Sequence, residues 1–197
     1  MQLCAVKKTH HIAIFASGNG SNAENLMKHF QHHQIIKIEL VVCNNENAAV
    51  LQKAQQLGIS SIVISKEELK TAEKLLPILE KHKINFIVLA GFLLQIPTWL
   101  IQKFPNQIIN IHPALLPKFG GKGMFGKFVH EAVINLKELE SGISIHFVNE
   151  HYDEGKIIFQ AKCQVEKNET AESLAKKIQQ LEHQHLPKIV EQLLAEK

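Results

Sequence analysis

The chain has 197 residues, 45% of them hydrophobic, 21% charged and 6% aromatic, a balance that suits a packed globular core and excludes intrinsic disorder. No run of about 18 apolar residues occurs, so no membrane-spanning helix is expected; in the opening MQLCAVKK the lysines follow the short apolar stretch, which does not suit a secretory leader. Net charge is +3 from 22 basic and 19 acidic residues, and every basic residue is a lysine, dispersed along the chain; with no arginine to read bases or grip phosphates bidentately, no nucleic-acid partner is expected.

In chain order, residues 11–16 (HIAIFA) read as a strand, 22–31 as a helix and 37–43 (KIELVVC) as a second strand. Residues 46–56 are helical, ended by Gly58, and 61–64 form a short strand. Residues 66–82 read as one helix, and 85–90 (NFIVLA) as a strand so apolar that both its faces must be buried. A short helix over 97–103 starts with proline and leads to another buried strand at 107–111. This alternation predicts an α/β, Rossmann-like fold with a mostly parallel central sheet, flanked by helices and joined by right-handed crossovers.

After Pro113 the character changes. Residues 118–126 (KFGGKGMFG) form a glycine-rich segment, read either as a lid or as a surface loop, and 127–135 read as a helix. Strands at 143–148 and 156–165, separated by NEHYDEG, predict an antiparallel C-terminal extension. A helix over 170–195 is expected to break or kink at Pro187. Without a repeat or a linker, residues 1–197 read as a single domain.

Cys4, Cys43 and Cys163 are odd in number and form no CxxC, which favours a reducing, cytoplasmic location. The twelve histidines include His29 and His33, four apart on a predicted helix, and His183 and His185, which a helix points apart. No HExxH occurs, and no metal is expected.

Three segments have the residues for chemistry. Ser17-Gly18-Asn19-Gly20-Ser21-Asn22 follows the first strand and opens the first helix, where successive N–H groups form an anion cradle. The alternative is a plain turn in which Ser21 caps the helix. Asn110-Ile111-His112-Pro113 ends a central strand with its amide and imidazole on the same side, where ligands of open α/β sheets collect. An imidazole there can exchange protons near neutrality and an amide can donate to an oxyanion; the alternative is a satisfied histidine beside a turn. Asp153, in YDEG, supplies a carboxylate that would raise the pKa of a neighbouring imidazolium, unless it is a solvated turn residue. The segment Gly91-Phe92-Leu93-Leu94-Gln95-Ile96 is unusually apolar for a loop at this edge and suits a flat aromatic ligand or simple packing.

In order over residues 11–190, HIAIFASGNGSN, NFIVLAGFLLQIP, NIHPALLPKF and HFVNEHYDEGKIIFQAKCQV resemble the phosphoribosylglycinamide formyltransferase (GAR transformylase) family of purine (IMP) biosynthesis. NIHPxLLP is shared by several formyltransferases; SGNGSN discriminates better. The resemblance implies transfer of a formyl group from the co-substrate 10-formyltetrahydrofolate to the amine of glycinamide ribonucleotide, without a metal. It implies that Asn110, His112 and Asp153 are catalytic, with Asn110 and a protonated His112 stabilising the oxyanion and Asp153 orienting and charging His112. It implies that Gly20, Ser21 and Asn22 hold the ribonucleotide phosphate, that Glu182 lies near the substrate amine, and that Leu93, Leu94, Gln95 and Ile96, with Asn110, line the folate site. Residues 10–113 would form the phosphate-binding half and 114–197 the folate, lid and C-terminal helix region. Partners are then small molecules, with the chain a monomer or homodimer.

Three departures stand out. Leu94 occupies a position where the family often has arginine, the glycine-rich segment is longer than in some relatives, and only Lys66 and Lys70 lie where a cation would meet the folate tail. Rival readings remain. A methionyl-tRNA formyltransferase would need a further domain after Lys197, and a formyltetrahydrofolate hydrolase a regulatory domain before the core. A non-catalytic nucleotide-binding module would not need all three polar candidates.

Overall fold

The computed structural model describes residues 8–195, so Cys4 and the opening segment lie outside the described residues. The elements are β1 (His10–Ala16), α1 (Ser21–His29), β2 (Ile36–Cys43), α2 (Ala49–Gln56), β3 (Ser60–Val63), α3 (Lys66–Leu69), α4 (Ala72–Lys81), β4 (Phe86–Leu89), α5 (Thr98–Lys103), β5 (Ile108–His112), α6 (Lys127–Asn135), β6 (Glu140–Phe147), β7 (Ile157–Gln164) and α7 (Ala171–Ala195). They build one seven-stranded sheet in the order β3-β2-β1-β4-β5-β6-β7. The first five strands are mutually parallel, and β6 and β7 extend the sheet antiparallel. The expected mostly parallel sheet with an antiparallel C-terminal extension is therefore present.

Strand alternation divides the core between the two faces. Ile12, Ile14 and Ala16 pack towards α1, α2, α6 and α7, whereas Ala13 and Phe15 pack towards α3, α4 and α5. From β1 the chain runs to β2 on one side, then returns to β4 on the other. Loops leaving β1 and β4 consequently splay apart at the carboxyl edge and open a crevice. They stay tied at its base, where Ser17 N–H donates to Gly91 O (3.0 Å) and Leu93 N–H donates to Ser17 Oγ (2.9 Å).

Two helix readings are corrected. The single helix expected over residues 66–82 is split, because Thr71 is extended (φ −115°, ψ 159°) and starts α4 anew. Trp99 Nε1 donates to Leu69 O (3.0 Å) at the break, meeting a carbonyl that a continuous helix would have used itself. The break expected at Pro187 is absent, and α7 runs unbroken through it. Proline has no N–H for the carbonyl four residues back, His183 O, but Asn25 Nδ2 on α1 donates to that oxygen at 2.8 Å. Asn25→Ala is expected to lower stability by about 1 kcal/mol, read as a shift in the urea midpoint. Adding Pro187→Ala, which restores the missing donor, should recover most of the loss.

Candidate active site

The crevice is a cavity of about 790 Å3 at the carboxyl edge of β1, β4 and β5. It is lined by residues 17–22, 89–96, 110–113 and 121–126, by residues 151–153 of the β6–β7 connection, and by one side of α7 including Gln179 and Glu182. Every residue expected to be catalytic, to hold the ribonucleotide or to line the folate wall therefore lies on this one cavity.

The first segment wraps tightly at Gly20, whose φ is +67° and whose missing Cβ would sit 2.4 Å from Val50 Cγ2. Gly20, not Ser21, is the N-cap of α1, and no side chain caps that end. The first helical bond is Glu24 N–H to Gly20 O (2.8 Å), which leaves the earlier first-turn N–H groups without intrahelical acceptors. Such an uncapped end attracts an anion. Asn22 Nδ2 donates to Glu182 Oε2 (2.9 Å), while its buried Oδ1 has no hydrogen-bond partner. Burial pushes the Glu182 carboxyl up to about 7 against the Asn22 bond, which lowers it.

Asn110 and His112 point the same way from β5, as two-residue alternation requires. Asp153 meets both: its Oδ2 is 3.6 Å from His112 Nδ1, and Asn110 Nδ2 donates to its Oδ1 at 3.3 Å. Gly121 N–H also donates to Asp153 Oδ2 (2.9 Å), and His112 Nε2 donates to Phe119 O (2.7 Å). The glycine-rich segment thus touches both ionisable groups through its backbone. Asp153 sits in the left-handed region (φ 58°), and Gly155 two residues on is obligatory, since a Cβ there would lie 1.6 Å from Phe147 O.

Sequence reading missed His146. Antiparallel register sets it opposite Asn110, and its Nε2 lies 3.1 Å from Asn110 Nδ2 and 3.6 Å from Asp153 Oδ1. Its Nδ1–H donates to Phe147 O (2.8 Å), so the neutral tautomer presents Nε2 as the acceptor for Asn110. Alternation along the predicted strand over 143–148 was the only local signal, because the partner strand is far away in the chain.

The electrostatics correct one expectation. Asp153 does favour protonated His112, as does Phe119 O, but burial outweighs both and holds the imidazole below its ordinary pKa. Resting His112 is therefore neutral near pH 7. Burial also pulls on Asp153, upward, yet nearby His146 and His112 and the Gly121 N–H bond together keep its carboxyl below the usual value. A carboxylate facing neutral His112 is arranged to stabilise a proton that arrives there during a reaction.

The apolar segment after β4 divides its duties. Leu93 is 47% exposed in the cavity, Ile96 is buried in the core, and Leu94 packs partly against that core. Gln95 Nε2 donates to Glu150 O (3.0 Å), joining this wall to the β6–β7 connection. Lys66 and Lys70 do not line the cavity, whereas Lys122 and Lys176 do. Away from the cavity, His29 and His33 converge on Glu191 at 3.6 and 3.3 Å. His33 Nδ1 is committed as an acceptor from Ile36 N–H (3.0 Å).

The formyl transferase family model matches residues 10–190. The chain belongs to the formyl transferase family. Among family members, the phosphoribosylglycinamide formyltransferase of Bacillus subtilis is 34% identical over 187 residues, which cover 92% of this chain and 93% of that protein. The chloroplastic phosphoribosylglycinamide formyltransferase of Arabidopsis thaliana is 39% identical over 185 residues, covering 91% of this chain. The chain spans 63% and 61% of the length of that protein and of its Vigna unguiculata counterpart. The crystal structure of phosphoribosylglycinamide formyltransferase from Anaplasma phagocytophilum superposes with a TM-score of 0.87 at 34% identity, covering 96% of this chain and 89% of that one. Among the described residues, no helix of this formyl transferase family member is long and apolar enough to cross a membrane.

Proposed function

We propose that the protein transfers the formyl group of 10-formyltetrahydrofolate to the amine of glycinamide ribonucleotide, acting in purine biosynthesis. One observation carries this reading: Asn110, His112 and Asp153 converge in a cavity bounded by an uncapped helix end on one side and an apolar wall on the other. A ribonucleotide phosphate fits the N–H groups at Gly20, Ser21 and Asn22. A flat pteridine fits the wall of Leu93, Leu94, Gln95 and Ile96. The formyl carbon then lies between them, beside Asn110 and His112. Residues 1–197 act as a single domain in this reading, since residues 10–113 and 114–197 both supply walls of the cavity.

The amine attacks the formyl carbon, a new C–N bond forms, and the carbonyl electron pair moves to oxygen. Neutral His112 takes the proton lost by the attacking nitrogen, and Asp153 stabilises the resulting imidazolium. Both Asn110 amide hydrogens are engaged in this structure, at 3.1 Å by His146 and at 3.3 Å by Asp153. The longer bond opens so that its hydrogen meets the oxyanion, while His146 holds the amide in place. Collapse breaks the bond to the folate nitrogen, which receives the proton from His112. Glu182 accepts from the incoming amine and helps to orient it. A cytoplasmic location accords with the free thiols of Cys43 and Cys163.

Purified protein given both substrates should release tetrahydrofolate and formylated ribonucleotide in equal amounts. Release of formate without the ribonucleotide would instead mark a hydrolase, and no turnover at all a binding module. Asn22→Ala is expected to raise the KM for the ribonucleotide about tenfold and the folate KM by less than about twofold. Equal effects would remove the phosphate-loop assignment.

A further inference from the structure

His130 stands on α6 directly after the glycine-rich segment, is 6% exposed and lines the cavity. Its Nδ1 is buried with no hydrogen-bond partner. Leaving a polar atom dry and unpaired is costly, and the cost is recovered where a ligand supplies the missing partner. Burial first, and the proximity of His112 second, hold the His130 imidazole below its ordinary pKa, so it meets a ligand uncharged.

Its place in the fold says which part of a ligand it meets. α6 packs on α7, which contains Glu182, and α7 packs on α1, whose uncapped end faces the same cavity. These three helices share one face of the sheet, opposite the face of Phe92 and Ile96 that supports the apolar wall. Resting on the functional reading above, a ribonucleotide spans from its phosphate at α1 to its amine at His112. The ribose lies between, on the side of α6. A neutral imidazole nitrogen suits a hydroxyl, whereas a phosphate or a pteridine would be held elsewhere in the cavity.

We propose that His130 is a ribonucleotide-binding residue whose Nδ1 hydrogen-bonds a ribose hydroxyl of the substrate. It sets specificity for the sugar and takes no part in moving the proton.

The test compares His130→Leu, which removes the polar atom, with His130→Asn, which keeps one near the Nδ1 position. Calorimetric binding of glycinamide ribonucleotide should weaken about tenfold in the leucine variant and recover most of that loss in the asparagine variant, with the folate KM unchanged. An analogue lacking the ribose hydroxyls should bind wild type and His130→Leu alike. Ribonucleotide binding within about twofold of wild type in both variants, or a matching loss in folate KM, would overturn the inference. Should the leucine variant fail to fold, His130→Ala, which also removes the polar atom, takes its place in the same comparison. Absence of formyl transfer and of ribonucleotide binding in the wild-type protein would defeat the functional reading itself. A wild type that turns over, with a His130→Leu variant that binds normally, would defeat only the assignment of His130.

Discussion

His112→Ala is expected to lower kcat by about 100- to 10,000-fold, the range for loss of a positioned general base, while ribonucleotide affinity stays close to wild type. The two readouts separate because His112 ends β5, whereas the phosphate would be held by the N–H groups at the start of α1. The pH profile gives the same assignment independently. Burial holds the His112 pKa below 6.5, and the neutral form is the base. Wild-type kcat/KM should therefore rise from acid pH with its midpoint below pH 6.5, and that acid limb should be lost in the alanine variant. A limb centred above 6.5 would mean that a protonated imidazole rests in the free enzyme, contrary to the burial of the ring. Stability follows the same sign. A histidine with a lowered folded pKa stabilises the fold above its unfolded value, and that contribution fades as pH falls towards the folded one.

Asp153→Asn is expected to reduce kcat by about 100-fold, because the imidazolium formed as the amine loses its proton no longer faces a carboxylate. Its fold should survive. Asparagine tolerates the left-handed backbone that Asp153 adopts (φ 58°), and an amide oxygen can still accept from Gly121 N–H. The carboxylate is one of the influences raising the His112 pKa, so its removal lets burial act with less opposition. The acid limb of the profile should move to lower pH even as the plateau falls. A purely structural role for Asp153 would lower activity without moving that limb. The variant also ends the depressed carboxyl pKa, whose stabilising contribution in the wild type is present above the unfolded value and lost as pH falls through the folded one. Wild-type turnover in Asp153→Asn would remove the residue from the mechanism.

Much of the architecture was legible because it rests on near neighbours in the chain. Two-residue alternation in HIAIFA and the wholly apolar FIVL identify strands covered on both faces, and Gly20 marks the turn into α1. The same locality explains the errors. Residues 66–82 keep helical spacing throughout, and nothing in that spacing shows that Thr71 turns extended while Trp99 takes up the Leu69 carbonyl. Pro187 removes a helix donor in any sequence, but the substitute donor is Asn25, on another helix.

Asp153 carried a signal of its own, being the only aspartate in 197 residues. Asn110 and His112 followed from their position at the end of a central strand. The sequence by itself determined most of the elements, the mostly parallel sheet and that Asn110 and His112 reach its carboxyl edge, since periodicity and turn chemistry act over a few residues. Only the tertiary structure decided that His146 pairs with Asn110, that Gly20 and not Ser21 ends α1, that His130 faces the cavity unpaired, and that resting His112 is neutral. Each of these depends on contacts between segments distant in the chain or on desolvation, and desolvation belongs to the packed molecule as a whole.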